Sequence, residues 1–211
     1  ARLSLGGGAT AVGLPLRLPD PREELTEDEA AAVIGACPGV PRVLITYQGD
    51  PEAVAAFADA LGVDWVQLHG AVTVGQVEAL RRRRPALGLL KALVVAENDP
   101  APVLAEAEAF APLVDAFITD TFDPHTGQRG ATGRTHPWAV SRAVVEARLA
   151  PVILAGGLEP ANVADAIEAV RPWAVDAHTG LEGPDGRKTA PRVEAFCRNA
   201  AEAFRRHPPA R

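Results

Sequence analysis

Pro151-Val152-Ile153-Leu154-Ala155-Gly156-Gly157 sets the pattern for the whole chain. Its first five residues are apolar, as in a strand of a parallel sheet buried on both faces. Two glycines then turn the backbone, and Pro160 lies near the start of a helix over Asn162 to Val170. The same unit recurs toward both termini. Apolar runs are read at Ala11 to Leu16, Arg42 to Tyr47, Trp65 to His69, Leu89 to Val95, Ala116 to Thr121, Pro151 to Ala155 and Ala174 to Ala177. The stretches between them predict helices at Ala53 to Leu61, Thr73 to Arg84, Pro102 to Phe110, Trp138 to Arg148 and Val193 to Arg206. Thr26-Glu27-Asp28-Glu29 reads as a capping box, in which hydroxyl and carboxylate each satisfy a free backbone N–H. Pro51 and Pro191 also sit near helix starts, and Gly62 and Gly88 are read as helix stops.

Strands alternating with helices predict an α/β fold with a parallel sheet. The open doubly wound sheet and the closed barrel both satisfy that order. Seven strands are counted, and Ala1 to Gly8 reads as a helix tail followed by a Gly-rich turn. The expectation is therefore a (β/α)8 TIM barrel over residues 1–211, a single domain lacking strand 1 and most of helix 1. The chain contains no Met, so either Ala1 follows a removed Met or residues precede it. Barrels run from about 200 residues upward, so a length of 211 does not decide the point.

The formal charge of −6, with no Lys/Arg block flanked by aromatics, argues against a nucleic-acid partner. The Arg81-Arg82-Arg83-Arg84 run falls at a helix end, where cations complement the helix dipole. Asp115 and Glu182 read as solvated or capping charges. No apolar run approaches the roughly 18 residues that span a bilayer, and no secretory signal is visible. Cys37 and Cys197 fit neither a disulfide framework nor a metal spacing. The compartment expected is the cytoplasm, with no membrane partner. Nothing in the pattern decides the oligomeric state.

In barrels the active site lies at the C-terminal ends of the strands. Polar and glycine residues gather after the apolar runs: Gln67-Leu68-His69-Gly70, Lys91, Asp120-Thr121, Gly156-Gly157 and Asp176-Ala177-His178-Thr179-Gly180. Gly130-Ala131-Thr132-Gly133 adds a third glycine-containing segment to Gly156-Gly157 and Thr179-Gly180. Backbone N–H groups approach a phosphate closely only where no Cβ intrudes; the alternative is that these glycines only turn the chain. His125, His136 and His207 have no context beyond loops and the tail.

Several of these segments carry a family resemblance. Val66-Gln67-Leu68-His69-Gly70 resembles the fourth-strand signature of phosphoribosylanthranilate isomerases. Gly130 to Trp138 resembles that family's GGTGKTFDW loop, and Leu154 to Val163 its seventh-strand segment. Val175 to Glu182 corresponds to VDVSSGVE, with Gly186-Arg187-Lys188 following as in GxKD. The motifs occur in order over most of the chain.

The resemblance implies the Amadori rearrangement of N-(5-phosphoribosyl)anthranilate in tryptophan biosynthesis, on a phosphorylated small-molecule substrate, with no cofactor and no metal. Asp120 falls on the family's acid, which must hold its proton; burial beneath an apolar substrate ring favours that. Arg22 resembles the arginine that pairs with the anthranilate carboxylate, a solvated surface Arg being the alternative. Gln67, His69 and Asp176 are expected to line the substrate pocket. Gly130, Ala131, Thr132, Gly133, Gly156, Gly157, Thr179 and Gly180 are expected at the phosphate. The family's base, a Cys in a KICG motif, has no counterpart segment here, and neither Cys37 nor Cys197 is placed to replace it. The base is expected either outside the chain shown, on the first strand, or at His178, which stands where the family has Ser; a phosphate-loop or structural histidine is the other reading of His178. Isomerisation of another sugar phosphate, or phosphate binding without catalysis, are the alternative functions.

Overall fold

The computed structural model describes residues 1–17, 25–121 and 136–210. Among them, β1 (Val12–Pro15), β2 (Arg42–Thr46), β3 (Trp65–Leu68), β4 (Gly88–Val95), β5 (Ala116–Thr121), β6 (Val152–Leu154) and β7 (Ala174–Val175) form one sheet in chain order. Every neighbouring pair is parallel. Parallel neighbours need a crossover, and α2 (Glu27–Gly35), α3 (Pro51–Leu61), α4 (Val74–Arg83), α5 (Ala101–Phe110), α6 (Trp138–Ala147) and α7 (Val163–Val170) supply them. α1 (Arg2–Gly6) packs against α8 (Ala190–Arg206), so the first and last helices meet. No helix among the described residues is long and apolar enough to cross a membrane.

Local chemistry accounts for the helix ends. Thr26 with Glu29, and Thr73 with Gln76, form reciprocal capping boxes on α2 and α4. Asp50 caps α3, and Gly62 ends it at φ +63°, a left-handed conformation that suits glycine. Gly88 does not stop a helix. Pro85 disfavours helical geometry at Arg84 and ends α4 there, while Gly88 opens β4. A Cβ at Gly88 would lie 2.2 Å from the Trp65 ring on the neighbouring strand. The arginine run is ion-paired at the helix end: Arg81 to Asp115, Arg82 to Glu78, Arg83 to Glu52 and Arg84 to Asp59.

Alternation along the strands separates two apolar layers. Leu14, Leu44, Val66, Leu68, Leu89, Leu93, Phe117 and Leu154 join the main core with the helices. Ala92, Ile118 and Ala155, with Ile153 against them, form a small second cluster on the sheet's other face. Lys91 belongs to the helix side, contrary to the expectation that it lies at a strand's C-terminal end. It is the fourth residue of β4 and buried; its ammonium lies 2.8 Å from Glu106 of α5 and donates to the Ala92 carbonyl at 2.5 Å. Glu106→Ala removes the anionic partner and leaves the ammonium only the Ala92 carbonyl and the Phe110 ring, and should lower unfolding free energy by about 2 kcal/mol. Lys91→Met keeps the apolar stem and should stay within about 1 kcal/mol of wild type. Urea denaturation checks both; equal losses in the two variants would contradict this account.

Candidate active site

The face opposite the helices carries the polar residues at the C-terminal strand ends. His69, just after β3, places Nε2 3.3 Å from Asp120 Oδ2 on β5, and both side chains are buried. Asp120 Oδ1 accepts the Thr121 backbone N–H at 2.7 Å, fixing the other carboxylate oxygen. Tyr47 stacks on the imidazole with centroids 4.7 Å apart and planes 12° from parallel. Gly70 makes room for that stack: its φ is +116°, and a Cβ there would lie 2.9 Å from the Tyr47 ring. His69 Nδ1 is buried without a hydrogen-bond partner. An imidazole donating Nε2–H to the carboxylate leaves Nδ1 an acceptor, which is less costly to bury unpaired than an N–H. Gln67 is buried on β3, paired in register with Ile45 and Leu90.

Asp176 follows β7, its backbone N–H donating to the Leu154 carbonyl at 2.9 Å. Withdrawal from bulk solvent, then the negative Asp120 nearby, push its carboxyl up to about 6, against the pull of Lys188. Water still reaches the side chain from the mouth, and its screening tempers the effect. His178 Nδ1 lies 3.4 Å from Glu182 Oε1, and Lys188 Nζ lies 3.6 Å from the same oxygen. A bridge between Glu182 and Lys188 brings the two chain segments together. Glu182 is thus no isolated solvated charge. Desolvation and then Lys188 hold the His178 imidazole below its ordinary value of 6.5, with Glu182 and Asp120 opposing. These surroundings disfavour the cation, an effect tempered by the water that reaches a ring 42% exposed.

Gly156 and Gly157 turn the chain at φ +93° and +63°. The Asn162 side chain donates to the Gly157 carbonyl at 3.0 Å and accepts from Glu159 N–H at 2.9 Å, closing this turn. Thr179 and Gly180 begin a 3-10 turn, Thr179–Leu181. A Cβ on Gly180 would lie 2.0 Å from the Leu158 carbonyl oxygen, so the two glycine loops touch backbone to backbone. Arg192 of α8 ties them further, donating to the Gly180 carbonyl at 2.9 Å and to Glu159 at 3.0 Å. Arg22 and Gly130, Ala131, Thr132 and Gly133 lie outside the described residues.

His136, which the sequence left without context, is buried. Its Nε2 meets Ser141 Oγ at 2.5 Å and its Nδ1 meets Thr121 Oγ1 at 3.2 Å. Desolvation lowers its pKa to about 4, opposed by Asp120. Tyr47 and Arg192 also escaped sequence reasoning, and Lys188 was read only as part of the GxKD-like segment, without a role. Tyr47 offered one signal: it closes an apolar run, where barrel-mouth residues fall.

A cleft of about 500 Å³ opens beside the N-terminal ends of β3 and β4, among Asp64, Trp65, Arg81, Arg84, Leu87 and Asp115. Arg81 is already committed there to the Leu113 and Leu87 carbonyls and to Asp115. The buried His69–Asp120 pair, Asp176 and His178 lie at the other end of the strands.

A curled parallel α/β sheet with carboxylates, histidines and glycine loops at its C-terminal strand ends defines a barrel enzyme. Comparison with known proteins narrows this class. The family model for N-(5'phosphoribosyl)anthranilate (PRA) isomerase matches residues 20–199. An N-(5'-phosphoribosyl)anthranilate isomerase of Halobacterium salinarum is 38% identical over 209 residues, covering 93% of this chain and 88% of that protein. The crystal structure of phosphoribosyl anthranilate isomerase from Thermotoga maritima superposes with a TM-score of 0.79 at 27% identity, covering 95% of this chain and 92% of that one. A further solved isomerase, in complex with reduced 1-(o-carboxyphenylamino)-1-deoxyribulose 5-phosphate, has a TM-score of 0.76 at 26% identity, with 95% and 91% coverage. The chain belongs to the N-(5'-phosphoribosyl)anthranilate isomerase family.

The buried His136 makes stability pH-dependent in a defined direction. Its folded pKa lies below the ordinary 6.5, at about 4, so the native state resists protonation that the unfolded chain accepts. Its contribution is complete above pH 6.5 and is lost as pH falls toward 4, by at most about 3 kcal/mol. Denaturant midpoints at pH 7 and pH 4.5 should therefore fall further for wild type than for His136→Phe. Equal falls would contradict the assignment.

Proposed function

We propose that this chain catalyses the Amadori rearrangement of N-(5-phosphoribosyl)anthranilate to 1-(o-carboxyphenylamino)-1-deoxyribulose 5-phosphate in tryptophan biosynthesis, Asp120 acting as the acid. The observation that carries this reading is the buried His69–Asp120 contact at the mouth of the strands. Once protonated, the Asp120 carboxyl can deliver that proton to the ribose ring oxygen. The ring then opens to a Schiff base, a base removes the proton from the adjacent carbon, and the enolamine relaxes to the ketone. The rearrangement moves hydrogen within one molecule and requires neither cofactor nor metal.

His178 is the proposed proton acceptor. A neutral imidazole can take a proton, whereas a phosphate contact would favour a cationic ring, and the environment of His178 disfavours that cation. Gln67, His69 and Asp176 are proposed to bind the sugar, and Arg22 the anthranilate carboxylate. Gly156, Gly157, Thr179 and Gly180, with Gly130, Ala131, Thr132 and Gly133, are proposed to receive the phosphate through backbone N–H groups. The solved relative holding a reduced deoxyribulose 5-phosphate supports a phosphorylated ligand. We propose that residues 1–211 act as one barrel domain in the cytoplasm.

Asp120→Asn should lower kcat by about 10²- to 10⁴-fold while the chain stays folded; unchanged turnover would remove Asp120 from the mechanism. The acidic limb of the kcat/KM profile should fall below pH 6.5, the ordinary histidine value, and vanish in His178→Gln. An acidic limb above 6.5, or one that persists in the variant, would exclude His178 as the base.

A further inference from the structure

Tyr47 and His69 are neighbours across two parallel strands. β2 and β3 pair Thr46 with Leu68, and the ladder runs one step further: the His69 N–H donates to the Thr46 carbonyl at 2.9 Å. The Thr46 hydroxyl accepts the Gln48 N–H at 3.2 Å, so the backbone is held on both sides of Tyr47. The two rings stack with centroids 4.7 Å apart and planes 12° from parallel. Gly70 leaves the Tyr47 ring its place, since a Cβ there would lie 2.9 Å from it. Tyr47 makes a further interaction besides this stack, so its ring is not held by the imidazole alone.

Hydrogen bonding by itself does not fix the His69 ring. Its Nε2 meets Asp120 Oδ2 at 3.3 Å, slightly beyond the usual N–H···O range. Its Nδ1 is buried without a hydrogen-bond partner, although a bond at the second nitrogen is what commonly sets an imidazole's tautomer and orientation. A ring with one such bond can turn about Cβ–Cγ and carry Nε2 off the carboxylate. A ring lying flat on another aromatic face cannot turn that way without breaking the stack.

We propose that Tyr47 is a positioning residue: its ring, stacked on the His69 imidazole, holds the plane in which Nε2 reaches Asp120 and so sets the orientation of that carboxyl. This rests on the reading of Asp120 as the acid and is independent of which group serves as base. Removing the aromatic face leaves Asp120 with its backbone bond from Thr121 and a loosened imidazole on the other oxygen. Misorientation of an acid impairs the chemical step more than substrate binding.

Variants of the full chain test the route from Tyr47 through His69. Tyr47→Leu should lower kcat by about threefold to tenfold, the range an aromatic pair is worth, with a smaller change in KM. Tyr47→Phe keeps the ring and separates it from the hydroxyl; it should retain kcat within about twofold of wild type. The loss in Tyr47→Leu should vanish on a His69→Gln background. Proton NMR reads the stack directly: the His69 ring signals of wild type and Tyr47→Phe should lie upfield of those in Tyr47→Leu. Wild-type kcat in folded Tyr47→Leu, an equal loss in Tyr47→Phe, or a loss that persists on the His69→Gln background would overturn the positioning role. If Tyr47→Leu does not fold, the His69 signals of wild type still decide, and ring protons at the positions of an unstacked histidine would overturn the proposal. A wild-type chain with upfield His69 signals and no isomerase turnover would instead overturn the reading of Asp120 as acid, and with it the role given to the stack.

Discussion

The contact between His69 and Asp120 spans the inner face of the sheet across β4. The two residues sit at the ends of β3 and β5, with β4 between them. Alternate strands of a sheet stand roughly 9 to 10 Å apart, a span that an imidazole and a carboxylate on the same face bridge to meet at 3.3 Å. Curvature brings their inward faces together and moves the outward faces against the helices. Ala92, Ile118 and Ala155 fit the narrowed interior because they carry little volume, apart from Ile118. Leu89, Leu93, Phe117 and Leu154 fill the wider outer layer.

Around that contact the site divides into parts with different electrostatic settings. Asp120 is held by an imidazole and a backbone N–H, and is largely shielded from water. Asp176 shares the mouth, where desolvation first and the neighbouring Asp120 charge second raise its pKa, tempered by the solvent that still reaches it. His178 sits beside both an anion and a cation, Glu182 and Lys188, where desolvation and then Lys188 disfavour its cation. Two carboxyls and an imidazole in unlike surroundings are the conditions under which acid and base duties separate.

Much of this was legible in the sequence, for a definite reason. Gln67, His69, Asp120, Gly156 and Asp176 each interrupt or follow a nearly continuous apolar run, and in a parallel sheet such positions fall at the C-terminal ends. Lys91 was misread because β4 is apolar on both faces, so its period of two is invisible and a buried outward lysine resembles an inward one. Gly88 was misread because a helix stop and a contact with an aromatic ring demand the same residue. His136 acquires meaning only from Thr121 and Ser141, which surround it after folding. Glu182 and Lys188 meet across a short turn, and Arg192 reaches from α8 to two loops. No local spacing announces such tertiary contacts.

The central claim is that the groups at the strand ends form a working isomerase site. The direct measurement is conversion of N-(5-phosphoribosyl)anthranilate by the purified chain, with the deoxyribulose phosphate product separated and quantified. The account predicts saturable formation of that product, inhibited competitively by reduced 1-(o-carboxyphenylamino)-1-deoxyribulose 5-phosphate. Product formation at the rate of an enzyme-free control would contradict it.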